Sequence, residues 1–174
     1  GYGRLVVDAE GPALDVDGEL LRARNVVLAT GSAPVTLGLP TDGERILTSE
    51  HALRLERLPG RAVILGGGVI GVEFASLYST LGSEVTVIEM TPEILPFMDD
   101  DMAVKMRQAM KGITFELGCR VESLDGATVH YSKGDEKKSI EADIVLIAVG
   151  QDIVSGPFEE FGMAAARSRF KASE

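Results

Sequence analysis

Residues 61–89 constrain this chain more than any other stretch: Arg-Ala-Val-Ile-Leu-Gly-Gly-Gly-Val-Ile-Gly-Val-Glu-Phe-Ala-Ser-Leu-Tyr-Ser-Thr-Leu-Gly-Ser-Glu-Val-Thr-Val-Ile-Glu. A β-rich apolar run, Ala62 to Leu65, meets a glycine turn. The turn opens a helical pattern, and a second apolar run ends in an acid, Glu89. Strand, turn, helix, strand and terminal carboxylate together make the nucleotide-binding unit of a doubly wound sheet. A G-x-G-x-x-G alone is weak, because glycines recur in many turns; its position between this strand and this helix gives it weight. The fold class that follows is α/β, a Rossmann-like domain with a parallel sheet, helices and a β-meander.

The candidate ligand-binding residues of the turn are Gly66, Gly67, Gly68, Val69, Ile70 and Gly71. Gly66 suits the tight turn from strand to helix. Gly68, lacking a Cβ, lets the backbone approach a pyrophosphate, and Gly71 lets helix and strand pack closely. The helix then begins with N–H groups that have no intrahelical partner, and with the positive end of its dipole facing the phosphates. Ile70, Phe74, Leu77 and Leu81 recur as one buried stripe, and Gly82 stands where a left-handed cap ends the helix. A strand-to-helix turn that binds nothing is the competing account; it explains Gly71 and leaves Gly66 and Gly68 without a role.

Glu89 bears on which dinucleotide. A strand-end carboxylate accepts hydrogen bonds from a ribose diol and repels a 2′-phosphate, by about 4 kcal/mol per charge pair at about 4 Å and an effective dielectric near 20. Met90, Thr91, Pro92 and Glu93, just beyond the strand, bring no cation. NAD(H) is therefore favoured over NADP(H). A solvated acid at a strand end is the alternative.

Composition closes off other classes. Hydrophobic residues make up 45% and charged residues 25% of 174, the balance of a globular chain, and no apolar run has the length of a membrane span. A net charge of −10 argues against nonspecific nucleic-acid binding. The chain starts at Gly1 with no charged-then-apolar leader, which suggests part of something longer, an excised leader or a tag scar. One cysteine, Cys119, excludes a disulfide within the chain and a cysteine-rich metal site. Its setting after Gly118 suits a small semi-buried residue better than a reactive thiol, since only Arg120 adds positive charge beside it. His51 and His130 lack metal-ligand company; His51 lies in a helical turn over Ser49 to Leu55 with Ser49 as the cap, His130 in an alternating strand. No metal ligands are assigned.

An internal echo organises the rest. Ala23-Arg-Asn-Val-Val-Leu-Ala-Thr-Gly31 resembles Ala142-Asp-Ile-Val-Leu-Ile-Ala-Val-Gly150. Before the second copy come alternating segments Val121–Leu124, Thr128–Ser132 and Lys137–Glu141, with turns at Asp125-Gly126 and Lys133-Gly134-Asp135. Before the first come Arg4–Val7 and Ala13–Val16, with turns at Gly11-Pro12 and Asp17-Gly18. Two related domains in tandem produce such an echo; so does chance, because buried parallel strands look alike. On the tandem reading the first domain has its closing strands here and no glycine turn of its own, and Val26–Ala29 is an orphan strand. Residues 31–59 are a connector rich in Pro, Gly and Ser. A helix is expected after Asp99-Asp100-Asp101, with Met102, Met106, Ala109 and Met110 as its core face. The tail from Gln151 carries one weak helical segment, Glu159–Met163.

With these residues assembled, the chain resembles the flavin- and pyridine-nucleotide-dependent disulfide oxidoreductases, and within them the dihydrolipoamide dehydrogenases. The matching stretches are Val27-Leu-Ala-Thr-Gly-Ser-Ala-Pro34, Ile46-Leu-Thr-Ser-Glu-His-Ala-Leu53, Leu58 to Glu89, Ile94-Leu-Pro-Phe-Met-Asp99 and, in part, Ala148-Val-Gly150. The resemblance implies an FAD domain ending near residue 38, a connector over 39–60, an NAD domain over 61–150 and a return segment over 151–174. It implies NAD as cofactor here and FAD in the parent protein, a lipoyl-bearing protein or small disulfide as partner, a homodimer, and a cytoplasmic or mitochondrial-matrix location. By position, Gly66, Gly68 and Gly71 match the pyrophosphate residues and Glu89 the adenosine-ribose acid. Glu73 matches a glutamate near the nicotinamide, with a dipole-favoured surface acid as its alternative. Thr30 and Gly31 match the turn beside the flavin, and Gly150 its counterpart in the NAD domain.

The departures are a missing cysteine pair, a missing FAD glycine fingerprint and a missing C-terminal acid–base histidine. Gln151-Asp-Ile-Val154 also stands where the family usually has a basic residue, proline and asparagine. No catalytic residue is assigned, and the chain alone is not expected to catalyse disulfide chemistry. Three readings remain open: the NAD segment of a lipoamide-dehydrogenase-like enzyme, the same segment of an NADH oxidase or mercuric reductase, and a noncatalytic nucleotide-binding module.

Overall fold

A computed structural model describes residues 1–154 and the backbone of two short strands, 165–166 and 169–170. The expected Glu159–Met163 segment lies outside the described residues. The chain divides into two compact units: Gly1–Ala33 with Gln151–Glu174, and Pro34–Gly150. Among the described residues no helix is long and apolar enough to cross a membrane.

The smaller unit opens with β1 (Gly3–Asp8), β2 (Gly11–Val16) and β3 (Glu19–Arg22), an antiparallel meander. Asp17 and Gly18 both have positive φ, 54° and 91°, as a two-residue hairpin turn matched to strand twist requires. Gly11 and Pro12 begin β2, so the first reversal falls on Ala9-Glu10, two residues earlier than expected. β4 (Ser32–Pro34) pairs with β13 (Gln151–Ile153), and β14 (Ala165–Ala166) pairs with β15 (Arg169–Phe170).

The larger unit holds β5 (Ile46–Leu47), α1 (Ser49–Ala52), β6 (Arg61–Leu65), α2 (Val69–Leu81), β7 (Glu84–Glu89), α3 (Asp100–Ala109), β8 (Ile113–Leu117), β9 (Arg120–Asp125), β10 (Thr128–Lys133), β11 (Glu136–Glu141) and β12 (Ile144–Ile147). Five strands form a parallel sheet in the order β5-β12-β6-β7-β8. Its inner strands are apolar runs rather than alternating patterns because both faces are covered. Val63, Leu65, Ile88, Val145 and Ile147 face Val129 and Tyr131 of the β9–β11 meander. Ala62, Ile64, Val85, Val87 and Leu146 face Phe74, Ala75 and Tyr78 of α2. Ile64, Leu146 and Val145 are fully buried, each stabilising the fold by about 1.5–3 kcal/mol.

Several expectations are corrected. Val26–Ala29 forms no strand, and Val27 is 87% exposed; among the described residues no strand pairs with it. The stretch read as connector supplies β5, an edge strand too short to carry a periodicity. On α2 the buried line runs Gly71, Phe74, Ala75, Tyr78, while Leu77 and Leu81 lie exposed. The small residues Gly71 and Ala75 let the helix settle onto the sheet, which rotates the leucines outward. On α3 the inward line is Ala103, Arg107, Met110; Met102 and Met106 are exposed. Thr48, extended at φ −92° and ψ 172°, caps α1 in place of Ser49. Asp99 caps α3, and Gly82 takes the left-handed cap of α2 at φ 104°.

Candidate functional site

The site is built at the end of β6. Gly66 turns the chain at φ 104°, and a Cβ there would stand 2.5 Å from the carbonyl oxygen of Ala148. Its N–H donates to Ile88 O at 2.9 Å, tying the turn to β7. A Cβ on Gly71 would overlap the Gly66 carbonyl oxygen, so both ends of the turn require glycine. Gly68 differs: nothing lies within 4 Å of its would-be Cβ, and it is the extended N-cap of α2. Having no side chain, Gly68 gives the first-turn N–H groups no side-chain cap, and that turn holds no acid. The N-terminus of α2 thus keeps its donors and its positive dipole end for an incoming anion. Val69 is 62% exposed and Ile70 half-buried beside it. Glu73 is exposed and is the fifth helical residue, just past the first turn of α2.

Glu89 ends β7 half-buried, with its carboxylate already engaged. Oε2 accepts the Gly67 N–H at 2.5 Å. Oε1 accepts the Thr91 N–H at 2.7 Å and the Thr91 hydroxyl at 2.8 Å. A carboxylate offers about four acceptor positions, so one on Oε2 is left for a ligand hydroxyl. The Gly67 carbonyl in turn accepts the Leu95 N–H at 2.8 Å. Arg107 of α3 grips Glu93 with Nε on Oε1 at 2.7 Å and Nη2 on Oε2 at 2.8 Å. That guanidinium, followed by the Ile94 N–H, holds the Glu93 carboxyl below the usual range against the opposing effect of burial. Sequence reading missed Thr91, Leu95, Glu93 and Arg107. No local spacing announces a pair 14 residues apart across a loop and a helix.

The remaining candidates fall elsewhere. Gly150, at φ 143°, follows β12, and its carbonyl accepts the Val35 N–H at 3.0 Å. Thr30 and Gly31 belong to the smaller unit, where the Thr30 hydroxyl donates to Val154 O at 2.7 Å and Gly31 O accepts the Val154 N–H at 3.0 Å. The structure therefore brings Gly66–Gly71 and Glu89 together, with Ala148 behind them. Cys119 is buried between β8 and β9; desolvation and then the Glu116 carboxylate push its thiol up, away from reactivity.

A parallel sheet with a glycine turn and a helix N-terminus at the carboxyl end of its strands defines an α/β protein of the Rossmann type. The sequence profile of the pyridine nucleotide-disulphide oxidoreductases matches residues 3–171, and the chain belongs to that family, whose members are FAD- and NAD(P)-dependent enzymes. Dihydrolipoyl dehydrogenase of Acholeplasma laidlawii is 39% identical over 166 residues, covering 91% of this chain and 49% of that relative. The crystal structure of LpdA from Mycobacterium tuberculosis superposes with a TM-score of 0.75 at 30% identity, covering 97% of this chain and 40% of that one. The HOCl-induced flavoprotein disulfide reductase RclA from Escherichia coli gives 0.68 at 29% identity, covering 90% and 38%. The chain thus spans about half the length, or less, of these relatives.

Proposed function

We propose that residues 61–150 form the NAD(H)-binding part of a flavoprotein disulfide oxidoreductase of the dihydrolipoyl dehydrogenase kind. The observation that carries this reading is Glu89, a strand-end carboxylate hydrogen-bonded to the second glycine of the turn, with one acceptor position not taken up by the described residues. The residues suit the ligand: Gly68 leaves open space over its backbone, and the first turn of α2 has donors and no acid. NAD⁺, when bound, supplies a hydride acceptor. The chain's own part is to bind and orient. Helix N–H groups take the pyrophosphate, Glu89 takes the adenosine ribose, and Val69, Ile70 and Glu73 border the path toward the nicotinamide.

In such an enzyme a dihydrolipoyl group would reduce a cysteine pair, and the electron pair would pass through FAD to NAD⁺. Neither half of that pair is here, since the single cysteine is buried with its pKa raised. We therefore infer that this chain binds nucleotide without catalysing disulfide exchange by itself. Thr30 and Gly31 are assigned to the flavin-side turn and Gly150 to its counterpart in the NAD domain on resemblance alone, as are the boundaries at residues 38, 60 and 150. The likeness to RclA favours one alternative, a related reductase acting on a different disulfide.

Calorimetric titration with NADH and with NADPH tests the reading. NADH is expected to bind at least tenfold more tightly than NADPH, with the preference lost in Glu89→Ala. Equal binding of both by the unaltered chain would refute it.

A further inference from the structure

We propose that Arg107 is a positioning residue for nucleotide selectivity, acting through Glu93 to hold Glu89 and the Gly67 peptide in their binding geometry. The inference rests on the NAD(H) reading above. Two lines of contact run from the Arg107–Glu93 pair to one peptide of the glycine turn.

The first line is polar. The Arg107 fork closes on both Glu93 oxygens, with side-chain exposures of 32% and 21%. The single Thr91 hydroxyl proton is shared between the Glu93 carbonyl at 2.6 Å and Glu89 Oε1 at 2.8 Å, and the Thr91 N–H donates independently to Glu89 Oε1. Glu89 Oε2 then accepts from Gly67. The second line is backbone. Ile94 and Leu95 follow Glu93 and are buried against Val72 and Ala103. Leu95 has φ 53°, in the left-handed region, although it is a bulky residue preceding Pro96. Backbone of that kind persists where its surroundings over-determine it. Here it aims the Leu95 N–H at the Gly67 carbonyl at 2.8 Å. Gly67 is thus held by its N–H and by its C=O, and both holds lead back to Glu93, which Arg107 fixes to α3.

Selectivity follows from orientation. With three acceptor positions filled by the chain, Glu89 discriminates only while its remaining lone pair points at the ribose. Releasing Glu93 frees Thr91 and lets the carboxylate swing, so the hydrogen bond to a ribose hydroxyl is lost and the repulsion of a 2′-phosphate weakens. A general loss of structure would lower affinity for both nucleotides alike. Loss of the Arg107 charge acting directly on a phosphate would penalise NADPH more, and raise the preference for NADH. A falling preference is specific to positioning.

The test uses the 174-residue chain with Arg107→Gln, the milder Glu93→Gln, and the exchanged pair Glu93→Arg with Arg107→Glu. Calorimetric affinities for NADH and NADPH are measured beside thermal melts and amide exchange at Gly67. In the single variants the NADH affinity should fall about tenfold and the NADPH affinity by less than about threefold, with Gly67 exchange about tenfold faster. The exchanged pair should recover the preference to within about twofold of the unaltered chain. An unchanged preference in single variants that still melt cooperatively, or unchanged Gly67 exchange, overturns the role of Arg107. A chain that binds neither nucleotide before substitution overturns the NAD(H) reading, and the selectivity role falls with it; Gly67 exchange then still shows whether the clamp exists.

Discussion

Val26–Ala29 and Ile144–Ile147 carry nearly the same kind of residues, and only one of them is a strand. Ile144–Ile147 lies between β5 and β6, paired on both sides and buried throughout. Val26–Ala29, in the other unit, has no ladder neighbour among the described residues and leaves Val27 in solvent. The two meanders that precede them repeat the lesson. β9–β11 buries Val129 and Tyr131 against the parallel sheet, whereas in β1–β3 only Leu5 and Ala13 are buried and Leu20 and Leu21 are half exposed. Turn chemistry makes a meander, but a partner surface makes it part of a core.

The sharpest way to break this comparison is paired truncation. Leu146→Ala should cost about 2–5 kcal/mol of unfolding free energy, because the residue is fully buried between sheet and α2. Val27→Ala should change it by less than about 0.5 kcal/mol. Denaturant curves decide; equal costs would mean that the first run is packed after all. Gly66→Ala tests the turn in the same unit. With φ at 104° and the Ala148 carbonyl in the way, a loss of about 3 kcal/mol is expected from strain and overlap together. Smaller and of opposite sign is Tyr78→Phe. Among the described residues the buried Tyr78 hydroxyl has no hydrogen-bond partner, so its removal should stabilise by about 1 kcal/mol.

The smallest effect concerns the two carboxylate–guanidinium clips, one in each unit. The Arg22 hydrogen bond, helped by the Glu10 N–H, lowers Asp8 to about 2, and Arg107 lowers Glu93. Both folded pKa values lie below their unfolded ones. Each contribution is therefore fully present above the unfolded value and is lost as pH falls through the folded one. Carboxyl titration by NMR should find Asp8 ionised until pH nears about 2. Asp8 lies at the surface, so its effect on stability should be slight.

How much the sequence told depends on how local the cause is. The run from Arg61 to Glu89 was readable because each step, from apolar strand through glycines to strand-end acid, is encoded within a few residues of its effect. The meanders were readable for the same reason, to within one residue at the Gly126-Ala127 turn and two at the Ala9-Glu10 turn. β5 was not, since two residues become a strand only when β12 arrives from about a hundred residues away. The face of α2 was misjudged because apolar residues fall on more than one face of that helix, and the fit of Gly71 and Ala75 to the sheet fixes its rotation. Methionine spacing misled in part on α3: Met110 packs inward with Ala103 and Arg107, while Met102, Met106 and Ala109 are exposed. The second layer of the site was hidden as well. The Gly67 clamp joins β6, the 89–95 loop and α3, and each contribution looks ordinary within its own segment.

The central claim is that the Gly66–Gly71 turn and Glu89 form a nucleotide site, and amide chemical-shift mapping tests it most directly. On titrating NAD⁺ into the isotopically labelled chain, the largest shifts are expected at residues 66–72 and 89–91, saturating together. Shifts concentrated on the β9–β11 meander, or no saturable shift at the turn, would contradict the account.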